Sequence, residues 1–293
     1  MKLNYKHFVY RLSGLAAILL FILQIAGCGT LRHGRYYGKD GPPPFNVDVS
    51  KIPDAVPKIE PRSKYGNPPS YIVKGHRYYV RKTSIGFEER GIASWYGMKF
   101  HKQRTSSGEP YNLLAMTAAH RTLPLPTYVL VTNLQNGRHV IVKVNDRGPF
   151  ADNRIMDLSY VAAKKLGIVA HGTGLVDIKA IDPHHPNLVL GQLSSTYVST
   201  KPTSISHIVN HPGAYHPRLY LQLGAFADKA NAHKLESKLY NYSRYPVFIK
   251  PGTHNGHAIY RVQIGPIPSV EASDALVSKI EHAGLGRPIT AID

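Results

Sequence analysis

The sequence of 293 residues contains a single cysteine and a single tryptophan. A disulfide needs two cysteines, so this chain cannot stabilise a small domain with one of its own. Folded regions must therefore depend on hydrophobic cores. The length is sufficient for two small domains, since a typical domain has about 100–150 residues.

Acidic residues are scarce. The sequence has 18 Asp and Glu against 36 Lys and Arg, which gives a formal net charge of +18. An excess of this size predicts an anionic partner or surface. Nucleic acid, anionic lipid and a carboxylate-rich cell wall would all satisfy it.

The sequence also lacks an apolar run long enough to cross a bilayer as a helix, which takes about 20 residues. The apolar segment near the N-terminus follows three basic residues, is roughly 15 residues long, and precedes the small residues Ala26 and Gly27. This pattern predicts an export signal over residues 1–27. Export argues against nucleic acid as the partner.

The only cysteine, Cys28, stands directly after Ile25, Ala26 and Gly27, and this arrangement resembles the bacterial lipobox. The resemblance implies a lipidated Cys28 at the mature N-terminus of an outer-membrane lipoprotein that faces the periplasm. Each buried CH₂ contributes about 0.8 kcal/mol, so more than one acyl chain gives a stable anchor. An uncleaved anchor helix with a chance cysteine is the alternative. Palmitate labelling that survives Cys28→Ser would contradict the lipoprotein interpretation.

Two segments have the composition of linkers. Prolines interrupt residues 28–88 so often that no helical or alternating pattern persists. We interpret this segment as an extended linker. Its basic, tyrosine-rich residues 71–82 are expected to form a solvated arm, with partial order as the alternative. A second linker, rich in Ser, Thr, Pro and His, is predicted at residues 183–216. Its histidines have no regular spacing, and we predict no metal site there.

Between the linkers, residues 89–182 are predicted to form a small β domain. Residues 127–134 and 138–144 are β-branched runs joined through Asn136 and Gly137, a pair typical of tight hairpins. A domain that consists mostly of strands favours a closed barrel, because closure removes exposed strand edges.

One short helix is predicted within this β domain. It covers residues 160–166, with Ser159 as the N-cap and Gly167 as the C-terminal stop. Residues 175–181 then read as the closing strand.

Residues 217–293 are predicted to form a second domain with the element order βαββαβ, a ferredoxin-like unit with both helices on one face. YLQLG at 220–224 is echoed by YRVQIG at 260–265, so Gln222 and Gln263 occupy matching positions in neighbouring strands. Their apolar neighbours must face the helices. The two glutamines and Arg261 are therefore expected on the open side of the sheet, as a polar platform.

The β domain has no G-x-S-x-G, H-E-x-x-H or phosphate-loop motif, and the only cysteine is assigned to lipid. We therefore expect neither a nucleophile, nor a metal, nor a cofactor. Carboxylate chemistry remains, and carboxylates cleave glycosidic bonds. Glu109 and Asp146 are the best candidates. The weaker candidates are Glu88, Glu89, Asp152 and Asp157, and the last of these fits a position at the start of the helix.

An acid that works near neutral pH needs a pKa raised from about 4, by burial or by a neighbouring carboxylate. Arg147 would oppose this if it pointed at Asp146. Either Arg147 faces the substrate, or Glu109 and Asp146 share a proton. His120 is expected to orient or hydrogen-bond one of the carboxylates. On residue type alone, each of these candidates is more often structural than catalytic.

The central region closely resembles the rare lipoprotein A family. The motifs that carry the resemblance are GIASWYG at 91–97, FH at 100–101, RTSSGE at 104–109, TAAH at 117–120, VNDRGPF at 144–150 and DLS at 157–159. The C-terminal segments LQLGAF at 221–226 and YRVQIGP at 260–266 resemble a SPOR domain. The resemblance implies a double-psi β-barrel followed by a SPOR domain. One departure is Lys102-Gln103, where the family more usually has a glycine.

By this resemblance, Asp146 is the acid/base residue, and Glu109 and His120 match the other active-site positions. The family implies a lytic transglycosylase that cleaves peptide-stripped peptidoglycan strands at division septa, with divisome proteins as further partners. The expected substrate contacts are Trp95, Tyr96, Asn145, Arg147, Gln222, Phe226, Asn231, Arg261 and Gln263. Core packing is the favoured role of Trp95. A septal wall-binding lipoprotein without activity is the alternative.

Overall fold

A computed structural model of the chain describes residues 40–151, 153–191 and 217–293. The export segment, Cys28, Asp152 and most of the second linker lie outside the described residues. Within the described ranges, no helix has the length and apolar character needed to cross a membrane.

The elements are named here in chain order. The strands are β1 (Ser70–Val73), β2 (His76–Tyr79), β3 (Glu88–Tyr96), β4 (Thr117–His120), β5 (Thr127–Asn133), β6 (His139–Asp146), β7 (Met156–Ser159), β8 (Thr173–Ile181), β9 (Leu219–Phe226), β10 (Val247–His254), β11 (His257–Ile267) and β12 (Ile289–Ile292). The helices include α1 (Tyr160–Leu166), α2 (Lys229–Leu239) and α3 (Val270–His282).

Strands β3 to β8 form a closed barrel in the order β3-β7-β4-β6-β5-β8, so the predicted barrel is confirmed. Along β6, the alternate residues Val140, Val142 and Val144 fill its interior, because successive strand residues point to opposite faces. The predicted hairpin of β5 and β6 is also confirmed, and Gly137 provides the positive φ of +71° at its turn. These strands place the polar side chains of interest on the outer face.

Helix α1 follows β7 directly and has the predicted caps. The Ser159 hydroxyl accepts a hydrogen bond from the Ala162 N–H, and Gly167 ends the helix with a φ of +77°. Both signals are local, since a serine satisfies free N–H groups at a helix start and glycine tolerates the left-handed conformation at its end.

The C-terminal sheet has the order β10-β11-β9-β12, and the predicted βαββαβ order is confirmed. Leu221 of β9 and Val262 and Ile264 of β11 are fully buried beneath α2 and α3, where they meet Leu239 and Ile280. One face of the sheet is therefore covered by helices, as the alternation of apolar residues predicts.

The prediction of a solvated arm at residues 71–82 is wrong. Strands β1 and β2 form an antiparallel hairpin, and the rings of Tyr71 and Tyr78 stack with centroids 5.3 Å apart. Both rings also contact Phe150, and the Tyr71 hydroxyl donates to the carbonyl of Arg121 at 2.7 Å. Aromatic burial and this hydrogen bond hold the hairpin against the barrel.

Residues 40–67 also pack on the barrel rather than extend away from it. The Asp40 carboxylate accepts a hydrogen bond from the Gly97 N–H at 3.1 Å, and the Ala55 N–H donates to the Ile141 carbonyl at 3.0 Å. An extended, proline-rich segment that bonds in this way has no periodicity of its own. The linker interpretation therefore fails for these residues.

The barrel and the C-terminal domain belong to one compact unit and contact each other directly. Arg154 forms a bidentate pair with Asp274, at 2.9 and 2.5 Å. Ile92 and Leu175 of the barrel join the buried cluster of the C-terminal domain. This contact brings α3 next to the segment before β7, and β12 lies next to β3.

Candidate active site

A bulge in β6 turns Asp146 to the outside of the barrel. Val144 pairs with Ala118, and Asp146 pairs with Ala119, so Asn145 is the extra residue between the two pairs. Val144 and Ala118 are core residues with no exposed surface. Asp146 and Ala119 therefore occupy the opposite, outer face. Bulges commonly re-aim side chains beside active sites in this way.

The two oxygens of Asp146 have different surroundings. Oδ1 accepts three hydrogen bonds, from the Ser106 N–H at 2.8 Å, the Ser106 hydroxyl at 2.7 Å and the Arg147 N–H at 2.7 Å. No donor from the described part of the chain reaches Oδ2. One oxygen is thus anchored, while the other is left for a proton or a substrate hydroxyl.

The guanidinium of Arg147 points away from the carboxylate of Asp146. Its Nε donates to the Gly66 carbonyl at 2.8 Å, and its Nη1 donates to the carbonyls of His120 at 3.1 Å and Leu123 at 2.6 Å. Arg147 therefore neither faces the substrate nor neutralises Asp146 directly. Its hydrogen bonds connect the loop that contains Gly66 to the end of β4 and the loop that follows it.

Glu109 lies in an ion-pair network beside Asp146. Its carboxylate accepts hydrogen bonds from Asn145 Nδ2 at 2.7 Å and from Lys143 Nζ at 3.1 Å, and Lys143 also donates to Glu60 at 3.0 Å. Burial disfavours the charged form of Lys143, but the bonds to the two glutamates raise its pKa above the ordinary value. No hydrogen bond joins Glu109 to Asp146 among the described residues.

No arrangement that would hold a metal ion is present in the ranges 40–151, 153–191 and 217–293. Such a site would take three or more His, Cys, Asp or Glu side chains directed at one point. Instead, the Glu109 carboxylate is occupied by amide and ammonium donors.

The ring of His120 is buried, with 2% of the residue exposed. Its Nδ1 accepts hydrogen bonds from the N–H groups of Thr122 at 3.2 Å and Leu123 at 3.1 Å. An accepting Nδ1 carries no proton, so Nε2 holds it and contacts Glu89 Oε2 at 3.3 Å. Burial lowers the pKa of His120, although the Glu89 carboxylate acts in the opposite direction.

His120 therefore does not touch Asp146 or Glu109. It holds the loop that follows β4, and the carbonyls of this loop bind the Arg147 guanidinium. The structure brings Asp146 and Glu109 to the same outer face through Asn145, but it places the imidazole of His120 behind that face.

A second aspartate, Asp157, lies on the same face as Asp146. Ala119 pairs with Asp146 of β6 on one side and with Asp157 of β7 on the other, so these side chains form one row across three strands. Adjacent strands are about 4.8 Å apart, which separates the two aspartate backbones by about 10 Å. The small residues Ala119 and Gly148 lie between them, since a Cβ at Gly148 would be 3.5 Å from Asp157 Oδ2.

Burial raises the pKa of Asp157, and the Ser94 hydroxyl and the charge of Arg154 oppose this effect. The Ser94 hydroxyl donates to Asp157 Oδ1 at 2.5 Å. The sequence suggested Asp157 only as a weaker carboxylate candidate with a position at the helix start. The signal that would have revealed its position is the pairing of β7 with β4, which spacing along the chain does not show.

The aromatic residues of β3 are used for packing. Trp95 packs on the barrel core and meets the ring of Tyr160 with centroids 5.7 Å apart. The Tyr96 ring lies 4.0 Å from that of Tyr111, and its hydroxyl is buried with no hydrogen-bond partner among the described residues. Burial raises the pKa of the Tyr96 phenol well above its ordinary value. Packing is therefore the role that the contacts of both residues show.

The departure from the family pattern at Lys102 has a structural consequence. Lys102 has a φ of +66°, a conformation that glycine adopts at little cost and other residues adopt only with strain. This accounts for the glycine that is usual in the family. The neighbouring Gln103 donates to the Lys99 carbonyl at 2.7 Å and supports the same turn.

In the C-terminal sheet, Gln222 and Gln263 pair across β9 and β11, as their matching positions predict. Their side-chain amides are 3.4 Å apart, and Gln263 is only 5% exposed. Arg261 faces the same open side and lies over Gly252, where a Cβ would be 2.2 Å from its Nη1. The platform is therefore more enclosed than the sequence suggested.

The other two expected contacts of this domain lie elsewhere. A Cβ at Gly224 would be 2.7 Å from the ring of Phe226 and 3.4 Å from Leu235, so this ring lies on the helix side of the sheet. Asn231 is exposed in the first turn of α2. The structure therefore does not bring Phe226 or Asn231 to the glutamine pair.

Two family matches divide the chain. Residues 88–180 match a double-psi β-barrel family described as lytic transglycolase. Residues 216–289 match the SPOR domain family. The barrel that presents Asp146 and the sheet that presents the glutamine pair thus correspond to two separate families.

Curated relatives match nearly the whole chain. Endolytic peptidoglycan transglycosylase RlpA of Pseudomonas aeruginosa PAO1 is 40% identical over 287 residues, which cover 85% of this chain and 83% of the relative. The protein of the same name from Vibrio cholerae is 37% identical, with 91% and 92% covered. That of Neisseria meningitidis MC58 is 53% identical over 130 residues, or 44% of this chain and 54% of the relative. Together with the barrel and the sheet described above, these matches show that the chain belongs to the rare lipoprotein A (RlpA) family.

Proposed function

We propose that this protein is an endolytic lytic transglycosylase that cleaves peptidoglycan between N-acetylmuramic acid and N-acetylglucosamine without using water. The observation that carries the proposal is the Asp146 carboxylate, with Oδ1 fixed by three donors and Oδ2 free on an outer face. The activity named for the relatives supports the same reaction class.

In this mechanism Asp146 acts twice. Its protonated form gives a proton to the glycosidic oxygen as the bond from that oxygen to the muramoyl C1 breaks. The resulting carboxylate then takes the proton of the muramoyl C6 hydroxyl as O6 bonds to C1. The products are a 1,6-anhydro end and a free sugar hydroxyl. One residue performs both steps, so the spacing of two carboxylates in hydrolases does not apply.

Two further residues position Asp146. Glu109 holds Asn145, the residue whose insertion turns Asp146 outward. Its ion pair with Lys143 holds the Glu109 carboxylate in this position. His120 acts at a longer distance, through the loop that binds Arg147. In each case the expected contribution is orientation of the carboxylate rather than proton transfer.

The wider setting follows from the two domains and the N-terminal motif. The substrate is the peptide-stripped glycan strand, which the SPOR domain retains at the division septum during daughter-cell separation. Lipid on Cys28 anchors the chain in the outer membrane, and divisome proteins are the expected partners. The family matches and the lipobox support this setting.

The test is product mass on purified peptide-free strands. The full-length chain is expected to release products with anhydro ends, each lighter by one water than a reducing end. Asp146→Asn keeps the shape of the side chain but removes the acid, so we expect a loss of at least about 10²-fold. Asp182→Asn makes the same change away from the row and should retain full activity. Reducing-ended products would reject the mechanism, and full cleavage by Asp146→Asn would reject Asp146 as the acid. Full function of Asp146→Asn in cells would favour the non-catalytic, wall-binding alternative.

A further inference from the structure

A strongly basic cavity of about 420 Å³ lies at one end of the barrel, next to the C-terminal domain. Five arginines line it, together with a single carboxylate from the described residues, that of Glu89. The arginines are Arg77, Arg90, Arg121, Arg154 and Arg287. A cavity wall with this balance attracts anions.

Most of these arginines already have carboxylate partners outside the cavity wall. Arg154 pairs with Asp274, and Arg90 pairs with Asp177 at 3.3 Å. Arg121 differs, because no carboxylate or other acceptor in the described ranges contacts its guanidinium. It is nevertheless half-buried. The charge of Arg121 acts on the Asp157 carboxylate of the row. Because its partly desolvated N–H groups have no acceptor in the described ranges, an external anion is the expected hydrogen-bond partner.

Arg121 is close to the carboxylate row. It follows the last residue of β4 and is two residues beyond Ala119, the centre of the row. Two strand residues span about 7 Å, comparable to the width of one sugar ring. The Tyr71 hydroxyl fixes the Arg121 carbonyl at 2.7 Å, which holds the backbone at this position. A glycan seated on the row would thus bring a substituent of one sugar to Arg121.

We propose that Arg121, in this cavity, binds a carboxylate of peptidoglycan, namely the lactyl carboxylate of N-acetylmuramic acid that is freed when the stem peptide is removed. The proposal rests on the proposed function and names the feature of the substrate that the site selects. In a peptide-bearing strand the lactyl group is a neutral amide. In a stripped strand it is an anion on O3 of the muramoyl ring, and guanidinium groups bind carboxylates through two parallel hydrogen bonds.

Binding of small sugars tests this independently of cleavage. The full-length protein would be titrated, with NMR or calorimetric detection, with N-acetylmuramic acid, N-acetylglucosamine and N-acetylmuramoyl-dipeptide. The first has the free lactyl carboxylate, the second has no lactyl group, and the third has carboxylates only on its peptide. We expect N-acetylmuramic acid to bind about tenfold more tightly than either of the others, the effect of one charge-assisted contact.

Arg121→Gln should abolish that difference and leave the weak binding of N-acetylglucosamine unchanged. Arg121→Lys keeps the charge but cannot form the bidentate hydrogen bond, so it should retain part of the difference in affinity between N-acetylmuramic acid and the other two sugars. Arg218→Gln removes the same charge from an exposed site and should behave as the wild type. Thermal unfolding of each variant would show that it is folded.

Equal binding of all three sugars by the wild type would overturn the proposal, as would discrimination that persists in Arg121→Gln. Tighter binding of the dipeptide derivative would assign the cavity to peptide carboxylates and overturn the lactyl assignment. Discrimination without anhydro products would support this site while rejecting the proposed reaction, so the two failures are distinguishable.

Discussion

The outer face of the barrel and the open face of the C-terminal sheet are both polar, but they are built from different groups. The barrel row has two carboxylates, Asp146 and Asp157, on either side of Ala119. The sheet is centred on the neutral amides of Gln222 and Gln263. Proton transfer needs a titratable group with a free oxygen, whereas retention of a sugar chain through its hydroxyl and amide groups needs only hydrogen bonds. Cleavage and retention should therefore be separable by mutation.

The two faces also differ in how they are supported. The glutamine pair depends on two adjacent strands, β9 and β11. Asp146 depends on Ser106 from one loop and on Arg147, whose guanidinium reaches Gly66 and the loop after β4. Changes far from the barrel row should therefore reduce cleavage, while the sheet should respond only to changes within it.

The largest effect of this kind is expected from Gly66→Ala. Gly66 has a φ of +78°, and a Cβ there would be 2.6 Å from the Ser106 carbonyl and 2.9 Å from Leu125 Cδ1. The substitution must displace the loop that holds Asp146. A shift of about 1 Å at a reacting group costs up to about 10²-fold in rate. We expect kcat on peptide-free strands to fall by about 10- to 100-fold, with KM and wall binding little changed.

Gly75→Ala is the matched control for this substitution. Gly75 has the same φ of +78°, but a Cβ there would meet nothing within 4 Å. Both variants carry the same backbone strain, and only Gly66→Ala presses on the catalytic loop. Equal kcat losses in the two variants would show that backbone strain, rather than displacement of Ser106, is the cause. Residues 40–67 would then have no supporting role at the site.

A smaller effect is expected from Asp157→Asn, which tests whether the second carboxylate of the row takes part in cleavage. Burial raises the pKa of Asp157, so the folded state binds its proton more tightly than the unfolded state does. Stability from this group therefore falls as pH rises from the unfolded pKa through the folded pKa. The variant should be more stable than the wild type at pH 7, and this gain should vanish in acid, below both pKa values.

Turnover should change in the opposite direction to stability. Asparagine still accepts the Ser94 hydrogen bond but cannot ionise, so we expect about a tenfold loss of kcat on peptide-free strands. Thermal unfolding at pH 7 and in acid would measure the change in stability, and product mass would measure the change in turnover. Asp182→Asn is the control for both. Unchanged turnover would leave Asp146 as the sole carboxylate of the row that acts, and a pH-independent stability change would contradict the burial argument.

The features that the sequence predicted correctly are those with local signals. The Asn136-Gly137 hairpin and the caps Ser159 and Gly167 each depend on a few adjacent residues. The βαββαβ order similarly follows from alternation within single elements. In these cases the residue type and its neighbours determine the backbone conformation almost by themselves.

The features that the sequence did not predict depend on pairing between distant segments. The bulge at Asn145 exists only relative to β4, and the row that joins Asp157 to Asp146 exists only through Ala119. The direction of Arg147 is set by carbonyls in two other loops, including that of Gly66. Motif resemblance predicts Asp146 and Glu109 as site residues, but it does not reveal the contacts that hold their side chains in place.

The smallest effect is expected on the sheet side, from Gln222→Ala combined with Gln263→Ala. Each neutral hydrogen bond contributes about 0.5–1.5 kcal/mol, so the double variant should bind peptide-free strands about tenfold more weakly. Cleavage of short soluble strands should stay at the wild-type rate, because Asp146 and its supports lie in the other domain. Gln135→Ala, at an exposed position of the barrel, is the control. If septal localisation and strand binding survived in the double variant while the protein remained folded, retention would have to come from the outer face of the barrel, and one face would serve both functions.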